Sequence, residues 1–242
     1  MFTRESLIQA YQLADRSTPL VRLNFIASLD GAATHEGLSG GLNNADDKLV
    51  FDTLRMLSDV IVVGAGTVRA EGYGGIRLPT EHARWRLDQG LAAQPPLAVV
   101  SASLDLDPEH PLFTEAATRP LVVTHAASPD AKRRALAEVS DVLVCGADAL
   151  DVRLMVRALA DRGLKQILCE GGPTLFGALL EADAVDELCL SLSPVLESGS
   201  AGRIARGAPV SRAMSLQNVV TAGDMVFLRY GRGPDGPDRT PA

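Results

Sequence analysis

Residues Ile167–Ala178, ILCEGGPTLFGA, constrain this chain more than any other stretch, because they read as a buried strand, a tight turn and a helix in immediate succession. Ile167, Leu168 and Cys169 form a short apolar run suited to a buried strand. Gly171 and Gly172 carry no Cβ and so allow backbone angles that other residues resist. Pro173 suits the first turn of a helix, where its missing N–H would be unpaired anyway. Leu175, Phe176, Leu179 and Leu180 give that helix one apolar face. Free backbone N–H groups at a helix start, approached through bare glycine, attract phosphate. A lone Gly-Gly turn is also an ordinary strand–helix connection. The acid Glu170 before the glycines and a similar turn upstream shift the reading toward a binding site.

That upstream turn is Gly64-Ala65-Gly66-Thr67, which follows the apolar strand Asp59–Gly64 and opens a short helix. It lacks the third glycine of the dinucleotide fingerprint, since Arg69 stands there, and no Gly-Lys-Ser/Thr of a P-loop follows. Strands are predicted at Leu20–Ala27, Asp59–Gly64, Leu97–Val100, Leu121–Thr124 and Val142–Cys145. Helices are predicted at Glu5–Asp15, after Asn44, at Glu81–Gln89, near Pro129–Glu138 and through Val152–Leu159. This alternation implies an α/β fold: a mostly parallel central sheet with helices on both faces. After Asp183 the pattern changes to an apolar strand, Val185–Leu192, and then a hairpin, Leu216–Val220 and Met225–Tyr230, turning at Ala222-Gly223-Asp224. The C-terminal hairpin is therefore expected to be antiparallel. Gly31, Gly37, Gly40 and Gly41 lie in a polar stretch after the first strand and suggest a mobile flap. With no internal repeat and no linker, residues 1–230 read as a single domain, and Gly231–Ala242 as a disordered tail.

The chain has 242 residues, 46% hydrophobic and 22% charged, which is the balance of a globular protein with a sizeable core. Its net charge of −7 disfavours generic binding to nucleic acid or an anionic membrane. The N-terminus has no apolar signal core and no run approaches membrane-spanning length. Cys145, Cys169 and Cys189 lack metal-ligand spacing and read as buried free thiols in a reducing cytoplasm. The four histidines are scattered through polar segments, so no metal is expected.

Asp30, Asp47, Glu71 and Glu170 fall at strand ends or helix starts, where acids either complement helix dipoles or face a ligand. Arg55, Arg69 and Arg77 lie near them in sequence and suit a phosphate.

These motifs, in this order, resemble the riboflavin-pathway pyrimidine reductase family, the C-terminal half of RibD. The resemblance is carried by NFIASLDG (Asn24–Gly31), DVIVVGAGTVRAEGYGGIR (Asp59–Arg77), ILCEGGPTLFGALLE (Ile167–Glu181) and VDELCLSLSPVL (Val185–Leu196). It implies a dihydrofolate-reductase-like fold and NADPH as cofactor. It also implies reduction of a phosphoribosylamino-pyrimidinone, with hydride transfer to the ribosyl C1. The cofactor site would comprise Ala27, Gly64, Thr67, Arg69, Ser101, Gly171, Gly172, Pro173, Thr174 and Leu175, with Arg69 or a hydroxyl such as Ser101 or Ser103 reading the 2′-phosphate. Asp30, Arg55 and Arg77 would bind substrate, the two arginines at its phosphate. Asp47, Glu71 and Glu170 would serve catalysis. The resemblance further implies a cis peptide at Gly171–Gly172 and a homodimer joined through the C-terminal strands.

No zinc deaminase half is expected in these 242 residues, since no H-x-E or P-C-x-x-C occurs in them. Gly40-Gly41-Leu42-Asn43 stands where the bifunctional proteins carry a Trp-Ile-Thr-like segment. Asp47 falls where dihydrofolate reductases place their pterin-binding acid, so reduction of dihydrofolate or another pterin is an alternative. A nucleotide-binding module without turnover is another.

Overall fold

The structure, a computed structural model, describes residues 2–233. Its strands are β1 (Leu20–Ser28), β2 (Val60–Gly64), β3 (Leu97–Val100), β4 (Leu121–Thr124), β5 (Asp141–Val144), β6 (Gln166–Cys169), β7 (Glu187–Ser193), β8 (Met214–Ala222) and β9 (Met225–Arg232). They form one sheet in the order β5-β4-β3-β2-β6-β1-β7-β9-β8. Every pairing from β5 to β7 is parallel, and β9 pairs antiparallel with both β7 and β8. This is the mostly parallel α/β sheet with an antiparallel C-terminal hairpin that the sequence predicts. Val60–Val63, Leu97–Val99 and Ile167–Cys169 are buried at every position, as strands covered on both faces must be.

Helices α1 (Arg4–Tyr11), α2 (Ala45–Leu57), α3 (Ala65–Glu71), α4 (Thr80–Asp88), α5 (Pro111–Thr114), α6 (Asp130–Val139), α7 (Val152–Ala160) and α8 (Pro173–Glu181) flank the sheet. Strand alternation sorts the core into two layers. Ile61 and Val63 face Leu7, Val50, Leu54 and Leu57 of α1 and α2. Val60 and Val62 face Val152, Met155, Leu159, Leu175 and Leu179 of α7 and α8.

Two expectations are corrected. The first helix ends at Tyr11 rather than Asp15. Its last carbonyls are claimed by a buried and a half-buried arginine: Arg22 donates to Tyr11 O at 2.8 Å and Arg229 to Ala10 O at 2.8 Å, and both arginines also pair with Glu187. Gly231 and Arg232 belong to β9 rather than to a tail, with Arg232 paired to Asp186 at 3.1 Å. The rest of the expected tail, residues 234–242, lies outside the described residues. The flap contains a 3-10 turn, Ser39–Leu42, that includes Gly40 and Gly41.

Because β6 lies between β1 and β2, the C-terminal ends of three neighbouring parallel strands open on one edge. Chain connections leave in different directions there, which is where open α/β sheets hold ligands.

Candidate active site

A cleft of about 490 Å³ opens at that edge. Asp47, Phe51 and Arg55 recur every fourth residue along α2, so one stripe of the helix supplies all three to the cleft. Thr67 and Glu71 do the same from α3. Asn24, Phe25 and Ile26 come from β1, Tyr73–Arg77 from the glycine-broken loop after α3, and Glu170–Pro173 from the end of β6.

The centre of the cleft is an ion pair. Arg55 Nε donates to Glu170 Oε1 and Arg55 Nη2 to Oε2, each at 2.7 Å, and Tyr73 donates its hydroxyl to Oε2 at 2.9 Å. The Arg55 guanidinium also lies 4.2 Å from the centre of the Phe51 ring, a cation–π contact. Burial works against the Arg55 charge, but the adjacent Glu170 carboxylate outweighs it and raises the arginine pKa above its ordinary value. Burial and the same carboxylate hold the Tyr73 phenol well above its usual value, so it stays a proton-bearing donor.

The other two acids differ. Glu71 Oε1 accepts the Ser39 N–H at 2.9 Å and so ties the flap turn to α3. Asp47 is 6% exposed, and burial raises its carboxyl pKa above the usual carboxylate value against the opposing pull of a hydrogen bond with Ser191. An acid that holds its proton to higher pH on a cleft wall is suited to proton delivery.

The glycine turn is packed backbone to backbone. Gly64 N–H donates to Gly171 O at 2.7 Å, and the Gly171–Gly172 peptide is cis. Gly171 has φ +116°, a region that favours glycine. A Cβ on Gly172 would stand 2.4 Å from Thr67 Oγ1. The helix that follows starts on Pro173 beside the cleft and has no side-chain cap, so the N–H groups of its first turn receive no capping side chain.

Among the sequence-predicted residues, Asp47, Arg55, Thr67, Glu71, Arg77, Glu170, Gly171, Gly172 and Pro173 line the cleft. Gly64 stands behind Gly172 and supports the turn. Ala27, Ser101, Thr174 and Leu175 sit at strand ends or the helix start and do not line it. Arg69 is exposed and donates to Asp105 O at 3.0 Å. Asp30 is directed elsewhere. It accepts from the Ser28 hydroxyl at 2.5 Å and from the N–H groups of Glu197 and Ser198, which lower its pKa to about 2. It thereby clasps the end of β1 to the segment after β7. Arg55, expected at a substrate phosphate, has its fork engaged by Glu170. Arg77 lines the cleft, is exposed and has no ion-pair partner among the described residues.

Sequence reasoning passed over Tyr73, Phe51 and Ser191. Tyr73 is flanked by Gly72 and Gly74, yet nothing local ties it to Glu170. Burial pushes the Cys169 thiol up to about 12 and the Cys189 thiol up to about 11, so neither is a nucleophile near neutral pH. Among the described residues, no group of three or more His, Cys, Asp or Glu is placed to hold a metal ion. No described helix is long and apolar enough to cross a membrane.

Comparison with known proteins gives a consistent result. Residues 19–228 match the family model described as the RibD C-terminal domain. The chain is 29% identical over 182 residues to the 2,5-diamino-6-ribosylamino-4(3H)-pyrimidinone 5′-phosphate reductase of Archaeoglobus fulgidus, covering 75% of this chain and 83% of that protein. It is 32% identical over 182 residues to the riboflavin biosynthesis protein RibD of Mycobacterium tuberculosis, covering 75% of this chain but 44% of that protein, so it spans under half of that relative. A solved pyrimidine reductase-like protein of Corynebacterium diphtheriae superposes with a TM-score of 0.85 at 28% identity, covering 95% of this chain and 99% of the other.

Proposed function

The chain belongs to the RibD C-terminal domain family, and we propose that it is an NADPH-dependent reductase of a phosphoribosylamino-pyrimidinone in riboflavin synthesis. The observation that carries this reading is the cleft itself: a bare glycine turn and an uncapped helix start beside buried, hydrogen-bonded acids. A phosphate binder alone has no use for those acids.

The residues present fit a nicotinamide dinucleotide. Gly172 leaves a cradle that a Cβ would fill against Thr67, and the uncapped N–H groups at the start of α8 suit a pyrophosphate. Gly171, Gly172, Thr174 and Leu175 would hold it through backbone groups, Thr67 through its hydroxyl. Gly64, Pro173 and Ala27 would shape the walls, and Arg69 or Ser101 would meet the 2′-phosphate. NADPH, when bound, supplies the hydride that reduces the ribosyl C1.

The chain's own residues do the rest. Arg77 offers a free guanidinium to the substrate phosphate. Arg55 and Tyr73 fix the Glu170 carboxylate in one orientation, so that Glu170 forms a pre-set wall rather than a mobile base. Asp47 carries a proton at a pH where an exposed carboxyl has lost it, and is placed to protonate the substrate as reduction proceeds. Glu71 holds the flap turn over the cleft and excludes water. The C-terminal strands would join two copies into a homodimer.

One observation favours a second reading. A buried acid on the cleft face of the helix after the flap also suits a pterin ring, so dihydrofolate is the alternative substrate. The deciding measurement is oxidation of NADPH, followed by its absorbance, with the phosphoribosylamino-pyrimidinone and separately with dihydrofolate. Turnover of the first supports the proposal. Turnover of dihydrofolate alone replaces it with the second reading, and binding of NADPH with turnover of neither leaves a nucleotide-binding module.

A further inference from the structure

Helix α4 turns a polar stripe toward its neighbours. His82 and Arg86, one turn apart, are its buried side chains, at 2% and 1% exposure. Its apolar residues do less: Trp85 is only partly buried against the core, and Leu87 lies in solvent. Arg86 is engaged. It donates to Met56 O at 2.8 Å, Ser58 O at 2.5 Å and Ala92 O at 2.7 Å, which ties α4 to the end of α2. His82 is not engaged: neither ring nitrogen has a hydrogen-bond partner among the described residues.

Charged groups face His82 from three helices: Arg4 from α1, Lys48 and Asp52 from α2, and Glu81 from α4 itself. Glu81 Oε1 lies 3.8 Å from His82 Nε2, too far for a hydrogen bond, and that oxygen already accepts from Arg4 Nη2. Asp52 is paired with Lys48 at 2.6 Å. An imidazolium carries two N–H donors and a charge. A proton on His82 would therefore add a cation at a buried position whose neighbouring carboxylates are taken, and burying an unpaired charge is costly.

We propose that His82 is a proton-operated latch. Neutral, it lets α4 seat against α1 and α2. Protonated, it unseats α4 and releases the loop 72–79, which carries Tyr73 and Arg77 to the cleft. Only Leu78 to Glu81 separate Arg77 from His82, and Ala83 N–H closes the first turn of α4 on Pro79 O at 3.0 Å, so a shift of the helix start is passed to the loop. Lys48 and Asp52 also share α2 with Asp47, Phe51 and Arg55, so α4 braces the helix that lines the cleft. The latch would act whichever substrate the cleft takes.

Burial and the Arg4 charge hold the His82 pKa below its ordinary 6.5, with Lys48 adding to them and Asp52 and Glu81 opposing. Between the lowered value and the ordinary one, the seated state binds fewer protons than the released state. Seating therefore weakens as pH falls through that window and is fully present above it. Glu81, held below its ordinary carboxylate value by its hydrogen bond from Arg4, keeps its charge throughout.

The test is amide hydrogen exchange of the full chain at about pH 7.5 and about pH 5, corrected for the intrinsic rate at each pH. Residues 72–88 of the wild type are expected to exchange at least about threefold faster at the acid end, with β2 and β6 unchanged. His82→Phe keeps a ring that cannot take a proton, and His82→Gln keeps a polar side chain. Each is expected to lose the acceleration. NMR of histidine-labelled protein is expected to show His82 titrating below the ordinary value. No acceleration in the wild type, acceleration confined to 80–88, or acceleration that persists in a folded variant overturns the latch. Should neither variant fold, the titration decides: a midpoint below the ordinary value supports the latch, and one at or above it overturns it.

Discussion

Arg55 and Glu170 meet edge to edge, Nε to Oε1 and Nη2 to Oε2, each at 2.7 Å. One comes from the last turn of α2 and the other directly follows β6, so the contact locks a helix to the central strand. The carboxylate side chain is 1% exposed and the arginine 17%. Breaking such a pair from one side leaves a charge with no partner and little water, which costs about 3–5 kcal/mol when burial is complete.

Glu170→Gln keeps the shape and removes the charge. Because the arginine retains some solvent, the expected loss lies toward the lower end of that range, with turnover falling as the wall of the cleft shifts. Denaturant unfolding and kcat/KM measured together check this. Unchanged stability would mean that Arg55 finds an alternative partner.

Gly172→Ala should weaken NADPH binding by more than tenfold, about 1.4 kcal/mol, in a protein that stays folded. The backbone there, φ −91°, suits alanine. The obstacle is the Thr67 hydroxyl, 2.4 Å from the new methyl. Combining Gly172→Ala with Thr67→Ala opens that space, so the double variant should be less impaired than the two single losses added together. Additive losses in the titrations would show that the two positions do not meet.

Asp47 gives a pH dependence of defined sign. Burial raises its carboxyl above the usual 3.8, so between that value and the folded one the folded state binds more protons than the unfolded. Stability therefore falls as pH rises through this window and stays lowered above it. Asp47→Asn should melt at a higher temperature than the wild type at neutral pH, with the difference shrinking in acid below the unfolded pKa, while activity drops. Melting curves that differ equally at both pH values would show that the carboxylate is not the source.

The outer edge of the sheet is β8, whose Leu216 and Val219 are 52% and 46% exposed. An uncovered edge strand with apolar side chains pairs readily with another chain. Light scattering at micromolar concentration should give about twice the 25.5 kDa chain mass, and Leu216→Lys should return the value to one chain. A single-chain mass for the unsubstituted protein would refute the homodimer.

The sequence disclosed the strands around the cleft because they are buried on both faces and so read as unbroken apolar runs, as in Val60–Val63 and Ile167–Cys169. Boundaries set by side chains from afar were not legible. Nothing near Tyr11 announces that Arg22 will take its carbonyl and end the helix. At the site, residue types and glycine turns were visible, but pairing was not. Arg55 reads as a phosphate ligand until Glu170 is folded against it, and Asp30 reads as a substrate acid until the N–H groups of Glu197 and Ser198 arrive. Tyr73 escaped notice for the same reason: its partner is remote in sequence and its neighbours are only glycines.

The place of β1 in the sheet has a consequence for how the protein is made. Its two neighbours are β6 and β7, in registers such as Leu23 with Cys169 and Asn24 with Cys189. A ribosome therefore releases LVRLNFIAS long before either partner exists. At about 5–20 residues per second, the wait is on the order of ten seconds. During it an apolar strand has both edges open, and pairings this distant in sequence close slowly even afterwards. Nascent chains stalled before Gln166 should thus be protease-sensitive through Leu20–Ser28 and bind holdase chaperones there, whereas chains extended past Ser193 should shed both properties.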